Sequence, residues 1–455
     1  MAFQGGVCCI LAVLLSCAAP MGKGLPKGVH RPSRDAEIED VVLLPQEITP
    51  YANAAGERLT IGDGCRNELL AEFRERFYLP WTSKSSTYDL SKTKKLMKKV
   101  AQGSWYGVNH RIMPAGLLSE ILDNCALANF PSNNEKAIAI VPTHLRGLPT
   151  HLPLFTGANG YPFDMLQYPQ VKANEPLRVL HVSRDGIWLF VETAYSNGWL
   201  ETRDVAIADQ DFVDSWLALP QLVITRDDFT VKDGIGGANY RAEIGTLLPL
   251  VEAGKEWWEV RVATAGKERK ALSSVTRIAR DAAERFPLAF NRENISIIGN
   301  QLAGQPYGWG EIYSLRDCSA MLRDFFMPFG IWLPRTSADQ IASTKHRLDL
   351  SGRPKREKEE TIRSQAVPFL TLLYKPGHIM LYIGLDSIGR PLVFHNAWSI
   401  RIKDGTGERL QIIGKAVVTT LEPGKELGLV NGYTLLEEIT TMMRITDRCA
   451  GPQTP

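Results

Sequence analysis

Cys318 lies in Arg316-Asp317-Cys318-Ser319-Ala320, where an amphipathic pattern begins: Leu322, Phe325, Phe326 and Phe329 share one helix face from Ser319 to Phe329, closed by Gly330. If Asp317 or its neighbour caps that helix, the sulfur sits beside the unpartnered backbone N–H groups and the positive dipole end, which favours thiolate. That is a nucleophile's position, and it is also a common place for a buried structural cysteine. A base decides between the two. His378 follows Pro376-Gly377 and opens an apolar strand in which His378, Met380 and Tyr382 share a face. A hairpin turning within Asp386 to Gly389 pairs residues whose numbers sum to about 775, which sets His395 across from Met380 and diagonal to His378. Two imidazoles on one face, with a cysteine at a helix start earlier in the chain, fit nucleophile, base and orienting group. His395 would hold the His378 ring in the useful tautomer. Zinc ligation by Cys318, His378 and His395 is the competing reading, at a spacing that matches no familiar zinc signature.

These residues need elements to carry them, and the chain is long enough to supply several. Its 455 residues imply two to four domains, and 44% hydrophobic with 22% charged residues is a globular composition. The net charge of +2 argues against nucleic acid as the main partner, so function must come from local sites. Residues 35–137 read as a helical region. Asn67 to Phe77 holds Leu69, Leu70, Phe73 and Phe77 at helix spacing, and Ser91 to Val100 surrounds Leu96, Met97 and Val100 with Lys92, Lys94, Lys95, Lys98 and Lys99. That lysine face reads first as solvated surface and second as a patch for an anionic wall polymer. Residues 138–212 and 213–276 read as two small β-barrels. Leu177 to Val182, Trp188 to Glu192 and Asn197 to Leu200 alternate around Asp185-Gly186, and Thr246 to Val251 with Trp257 to Val262 repeats the plan around Gly254. Residues 277–445 read as an α+β domain. A helix is expected from Ile278 to Phe286, a solvated mixed-charge loop from Leu350 to Glu360, and an antiparallel meander of Phe369 to Tyr374, His378 to Ile383 and Pro391 to His395.

The N-terminus reads as an export signal. Val7 to Ser16 is an apolar run between uncharged flanks, too short to span a bilayer. Leu14-Leu15-Ser16-Cys17 resembles a bacterial lipobox, so residues 1–17 are expected to be the signal segment, cut ahead of Cys17, which becomes the lipidated first residue of the mature chain; cleavage near Ala18-Ala19 with soluble release is the alternative. Of the later cysteines, Cys65 and Cys449 have polar neighbours that allow a disulfide without assigning one, and the pattern among Cys65, Cys125 and Cys449 stays open.

Several motifs together resemble the NlpC-type cell-wall cysteine peptidases: Pro306-Tyr307-Gly308-Trp309-Gly310, Arg316-Asp317-Cys318-Ser319, Gly377-His378 through Tyr382-Ile383-Gly384, and Phe394-His395. The Asp185-Gly186, Trp188 and Gly198-Trp199-Leu200 pattern upstream resembles bacterial SH3-like domains. The resemblance implies a helical N-terminal region, two SH3-like barrels and a papain-like α+β catalytic domain in an exported protein of the periplasm or cell envelope. It implies a cofactor-free endopeptidase that cuts γ-D-glutamyl to diamino acid bonds in peptidoglycan stem peptides. It also implies roles: Cys318, His378 and His395 as the catalytic set, Tyr307 with the Cys318 N–H as oxyanion donors, Asp317 and Ser337 as holders of a free L-Ala amine, Ser319 near the D-Glu carboxylate, and Tyr195 closing the pocket. Glu311 and Ala320 stand where the family has glycine. A non-catalytic wall-binding protein and a cysteine amidase or acyltransferase on the same fold are the rival expectations.

Overall fold

The computed structural model describes residues 38–449 apart from 87, 233–238 and 406, so the expected signal and lipobox lie outside the described residues. The helical N-terminal part holds α1 (Glu39–Leu43), α2 (Thr49–Ala55), α3 (Asp63–Phe77), α4 (Leu79–Thr82), α5 (Ser91–Gln102) and α6 (Ala115–Asn124). In α5 the buried Thr93, Leu96 and Val100 mark the inner face, while Lys92, Lys94, Lys95 and Lys98 are exposed, a solvated lysine face. The first β-unit follows with β1 (Glu135–Ala139), β2 (Thr143–Arg146), β3 (Gln167–Val171), β4 (Pro176–Val182), β5 (Trp188–Glu192), β6 (Asn197–Glu201) and β7 (Val205–Ile207), antiparallel in the order β3-β2-β6-β5-β4-β1-β7. Its β4–β5 hairpin turns at Gly186 with φ +73, which glycine adopts without steric cost.

Helix α7 (Gln210–Leu217) leads to the second β-unit: β8 (Gln221–Ile224), β9 (Phe229–Lys232), β10 (Asn239–Ala242), β11 (Leu247–Ala253), β12 (Trp257–Ala265), β13 (Ala271–Ala279) and β14 (Ala283–Arg285). The expected helix from Ile278 to Phe286 is therefore incorrect. Ile278 lies within β13, where Thr276 and Ile278 are buried at period two, and Arg280 lies 3.4 Å over the Trp258 ring before β14 begins. Sheet pairing with β12 and β8 overrides whatever helical propensity Asp281-Ala282-Ala283-Glu284 has.

The C-terminal unit contains α8 (Arg292–Leu302), α9 (Cys318–Phe326), α10 (Ser337–Ile341), β15 (Leu348–Asp349), α11 (Lys355–Gln365), β16 (Thr371–Lys375), β17 (His378–Leu385), β18 (Pro391–Asp404), β19 (Gly407–Thr420), α12 (Leu435–Glu438) and β20 (Thr441–Arg444). The strands form one antiparallel sheet, β15-β20-β16-β17-β18-β19. Leu350 to Glu360 is not a loop throughout: α11 starts after Pro354, buries Ile362, and sinks the Lys358 stem so that its ammonium donates to the Glu437 and Ile439 carbonyls at 2.5 and 2.7 Å. Helix α9 packs Cys318, Leu322 and Phe325 into a core shared with Ile379, Leu381 and Phe394 of β17 and β18. The N-terminal segment covers the sheet edge at β19: the Gln46 side chain donates to Val418 O at 3.1 Å and accepts from Val418 N at 2.9 Å, a backbone mimic that blocks edge pairing. A disulfide joins Cys65 in α3 to Cys449, 384 residues apart. No helix among the described residues is long and apolar enough to cross a membrane.

Candidate active site

Asp317 is the N-cap of α9: its extended backbone precedes the first helical residue, Cys318, and its Oδ1 accepts from Ala320 N at 2.9 Å. Cys318 is 1% exposed and carries a thiol at the positive end of the helix. The chain before it is held from two sides. Arg316 O accepts from Gly308 N at 3.0 Å and from Asn396 Nδ2 at 2.7 Å, so the loop leading into Cys318 is tied both to the Tyr307 segment and to the strand that carries His395. Gly308 has no room for a side chain, since a Cβ there would stand 2.5 Å from Leu315 O. Gly310, at φ +59, rests against β3 and accepts from Gln167 Nε2 at 3.1 Å, while Trp309 Nε1 donates to Asp164 O at 2.9 Å. The Pro-Tyr-Gly-Trp-Gly loop is thus seated on the first β-unit.

The register of β17 on β18 pairs Leu381 with Phe394 and Tyr382 with Val393, as the hairpin arithmetic expects, and the two histidines meet: His378 Nε2 and His395 Nδ1 are 2.7 Å apart. His395 is fully buried, and its Nε2 lies 3.0 Å from Thr419 Oγ1 on β19. Burial pushes His395 down to about 3. Burial, then His395 and Lys375, hold His378 well below the usual 6.5, so both rings are uncharged at neutral pH. Tyr307 is 9% exposed, its backbone N donates to Gly414 O at 2.8 Å, and its ring lies 5.7 Å from that of Trp398, three positions after His395.

The residues around Asp317 form a closed ionic group. Burial works against ionisation of Asp317, but the Arg335 guanidinium outweighs it and keeps the carboxyl below its usual range. Arg335 donates to Asp317 Oδ1 and Oδ2 at 3.1 and 2.6 Å, to Ser319 Oγ at 2.9 Å and to Glu311 Oε2 at 2.8 Å; Ser319 Oγ in turn donates to Asp317 Oδ1 at 3.0 Å. Glu311, standing where a glycine is expected, adopts φ +66 and uses its carboxylate to bind Arg323 at 2.5 Å as well. A carboxylate replaces the glycine because two buried guanidiniums meet there. Ser337 opens α10, is 2% exposed, and its hydroxyl has no partner among the described residues. Gln340 of the same turn donates to Ser319 O at 2.9 Å, which docks α10 on the Cys318 turn. Tyr195 stacks on Trp332 at 5.9 Å, under Arg323, with its hydroxyl 3.8 Å from Met327 Sδ; it packs the first β-unit on α9. Arg335, Asn396, Thr419 and the Glu311 contacts were not found by sequence reasoning. Of these only Asn396 carried a signal, as the polar neighbour of His395 in an apolar strand.

A buried network joins the three units. Lys172, just after β3, reaches Asp324 of α9 at 2.9 Å and Glu243, just after β10, at 3.2 Å. Burial opposes the Lys172 charge, yet Asp324 and Glu243 hold its pKa above the usual value. Burial pushes the nearby Glu175 carboxyl up to about 7.

Comparison with known proteins follows the same division. Residues 6–130 match the NLPC_P60 stabilising domain, N term; residues 153–201 the SH3 domain of SH3b1 type; residues 209–255 the SH3 domain of SH3b2 type; and residues 304–408 the NlpC/P60 family. No curated protein matches the chain. Among solved structures, the chain is similar to an NlpC/P60 endopeptidase from Photobacterium damselae subsp. piscicida, with TM-score 0.79 and 19% identity over 88% of this chain and 97% of that one. An NlpC/P60 family protein from Bacillus cereus gives TM-score 0.45 and 15% identity over 68% of this chain and 99% of that one.

Proposed function

Because the chain is a multidomain NlpC/P60 protein with two SH3 domains ahead of a peptidase fold, we propose that it is a cysteine endopeptidase cutting the γ-D-glutamyl to diamino acid bond of peptidoglycan stem peptides. Cys318 attacks the scissile carbonyl. His378 takes the thiol proton and returns one to the leaving amine, and His395 orients and stabilises the His378 ring. The Tyr307 hydroxyl and the Cys318 N–H receive the oxyanion charge. A neutral His378 at rest means that the proton moves as attack occurs. The observation that carries this reading is a buried thiol at the first turn of α9, a helix packed on the two strands whose histidines are hydrogen-bonded to each other.

In the same proposal Asp317, Ser319 and Ser337 line the substrate side, with Tyr195 behind Arg323. Arg335, Ser319 and Ala320 share the two lone pairs of Asp317 Oδ1 and Arg335 takes one on Oδ2, which leaves one on Oδ2 for a free L-Ala ammonium. The orphaned Ser337 hydroxyl supports a role in holding a ligand. Export with anchoring through a lipidated Cys17 completes the proposal. The test incubates the protein with L-Ala-γ-D-Glu-diaminopimelate and with its N-acetylated form. Release of L-Ala-D-Glu from the free-amine peptide alone, abolished by Cys318→Ala, is the expected result. Equal cleavage of both forms removes the amine preference, and a fully active Cys318→Ala variant removes the nucleophile.

A further inference from the structure

The histidine pair ends on a third residue. Thr419 Oγ1 lies 3.0 Å from His395 Nε2 and 2.7 Å from Thr420 O. A hydroxyl has one proton. The Thr420 carbonyl only accepts, so the hydroxyl proton goes there and Thr419 presents a lone pair to His395. His395 Nε2 must then carry the hydrogen, which leaves Nδ1 as an acceptor. Facing that acceptor 2.7 Å away, His378 Nε2 must be the donor. The remaining nitrogen of His378, Nδ1, is left with its lone pair open. Running the chain the other way, with Thr419 donating to His395, would put the hydrogen on His378 Nδ1 and remove its capacity to accept a proton there. His395 and Thr419 are both fully excluded from solvent, so water cannot scramble the order.

We propose that Thr419 is a positioning residue that fixes His378 in the tautomer with Nδ1 unprotonated, acting through His395 across three adjacent strands. The inference rests on His378 being the base, and it names the atom that does the work. A neutral His378 at neutral pH, which its depressed pKa supports, is the state in which tautomer identity matters.

The test compares the full-length protein with Thr419→Val, which keeps the shape and loses the hydroxyl, and with Thr419→Ser, which keeps it. In Thr419→Val, His395 has no acceptor for an Nε2 hydrogen and moves it to Nδ1, which makes His378 the Nδ1–H form. Hydrolysis of the stem peptide should lose about 10- to 100-fold in kcat with KM within about twofold. Thr419→Ser should recover most of the rate. Nitrogen-15 spectra of histidine-labelled protein give the tautomer directly: the chain has 8 histidines, and the His378 Nδ1 signal should shift from the unprotonated to the protonated range in Thr419→Val only. Unchanged kcat and tautomer in Thr419→Val overturn the inference, as does a Thr419→Ser variant as slow as Thr419→Val, which would mean that the methyl group is what counts. If the wild-type protein cleaves no stem peptide, the peptidase reading fails while the nitrogen-15 comparison still decides the tautomer.

Discussion

Restoring the signature glycine at position 311 should destabilise this protein. Glu311 is 1% exposed and binds Arg323 at 2.5 Å and Arg335 at 2.8 Å. Removing one member of a buried ionic group costs about 3–5 kcal/mol, because the charges left behind have lost both water and partner. Here the lower end applies, since Arg335 keeps Asp317 and Arg323 keeps Asp324 at 2.9 Å. Against that, Glu311 sits at φ +66, and relieving a left-handed residue gains about 1 kcal/mol. The net expectation for Glu311→Gly is a loss of about 2 kcal/mol, or roughly 4–8 °C in the melting of the C-terminal unit. Glu311→Gln, which loses the charge without the backbone relief, should fall further. Adding Arg323→Met to Glu311→Gly removes a guanidinium that has lost one of its two carboxylates, while Asp324 keeps Lys172 and Arg316, and should restore part of the loss. Thermal and urea melts of the four proteins make the comparison. A Glu311→Gly protein as stable as the native one would refute the reasoning, because it would mean that the carboxylate is not needed by the guanidiniums around it.

Two other outcomes follow from the same geometry. A His378 pKa held below 6.5 keeps that imidazole neutral down to mildly acidic pH, and if it is the proposed base, activity is lost as pH falls through that folded value; the acid limb of kcat/KM should have its midpoint below 6.5, and a midpoint at or above 6.5 would contradict the assignment. Lys172→Met leaves Glu243 and Asp324 facing each other across a buried junction, and should cost about 3 kcal/mol and speed limited proteolysis between the β-units and the C-terminal unit; an unchanged melt and digestion pattern would show that the junction does not depend on the ammonium.

What the sequence revealed and what it hid divide along contact range. The hairpin register that joins His378 to His395 is local, set by a short turn and strand alternation, and so it was legible. The helix that starts at Cys318 was legible because its cap and apolar stripe are neighbours in sequence. Ile278 to Phe286 failed because two distant strands, β12 and β8, claim that segment. Helix α11 was hidden by its composition: one buried isoleucine and a lysine stem leave almost no apolar periodicity to detect. Arg335 and Thr419 act on residues that lie next to them only after folding, at separations of 18 and 24 positions. No pattern within a window could point to them. Cys65 and Cys449 had polar surroundings consistent with pairing, but nothing in their spacing selected one partner.

The Cys65 to Cys449 bond turns the segment between them into a closed hoop, and the hoop contains every β-unit and the whole candidate site. Cutting any one peptide bond inside it opens the hoop without releasing a fragment. In surroundings rich in hydrolases, a single scission therefore leaves one covalent molecule whose halves stay concentrated on each other and can keep their fold.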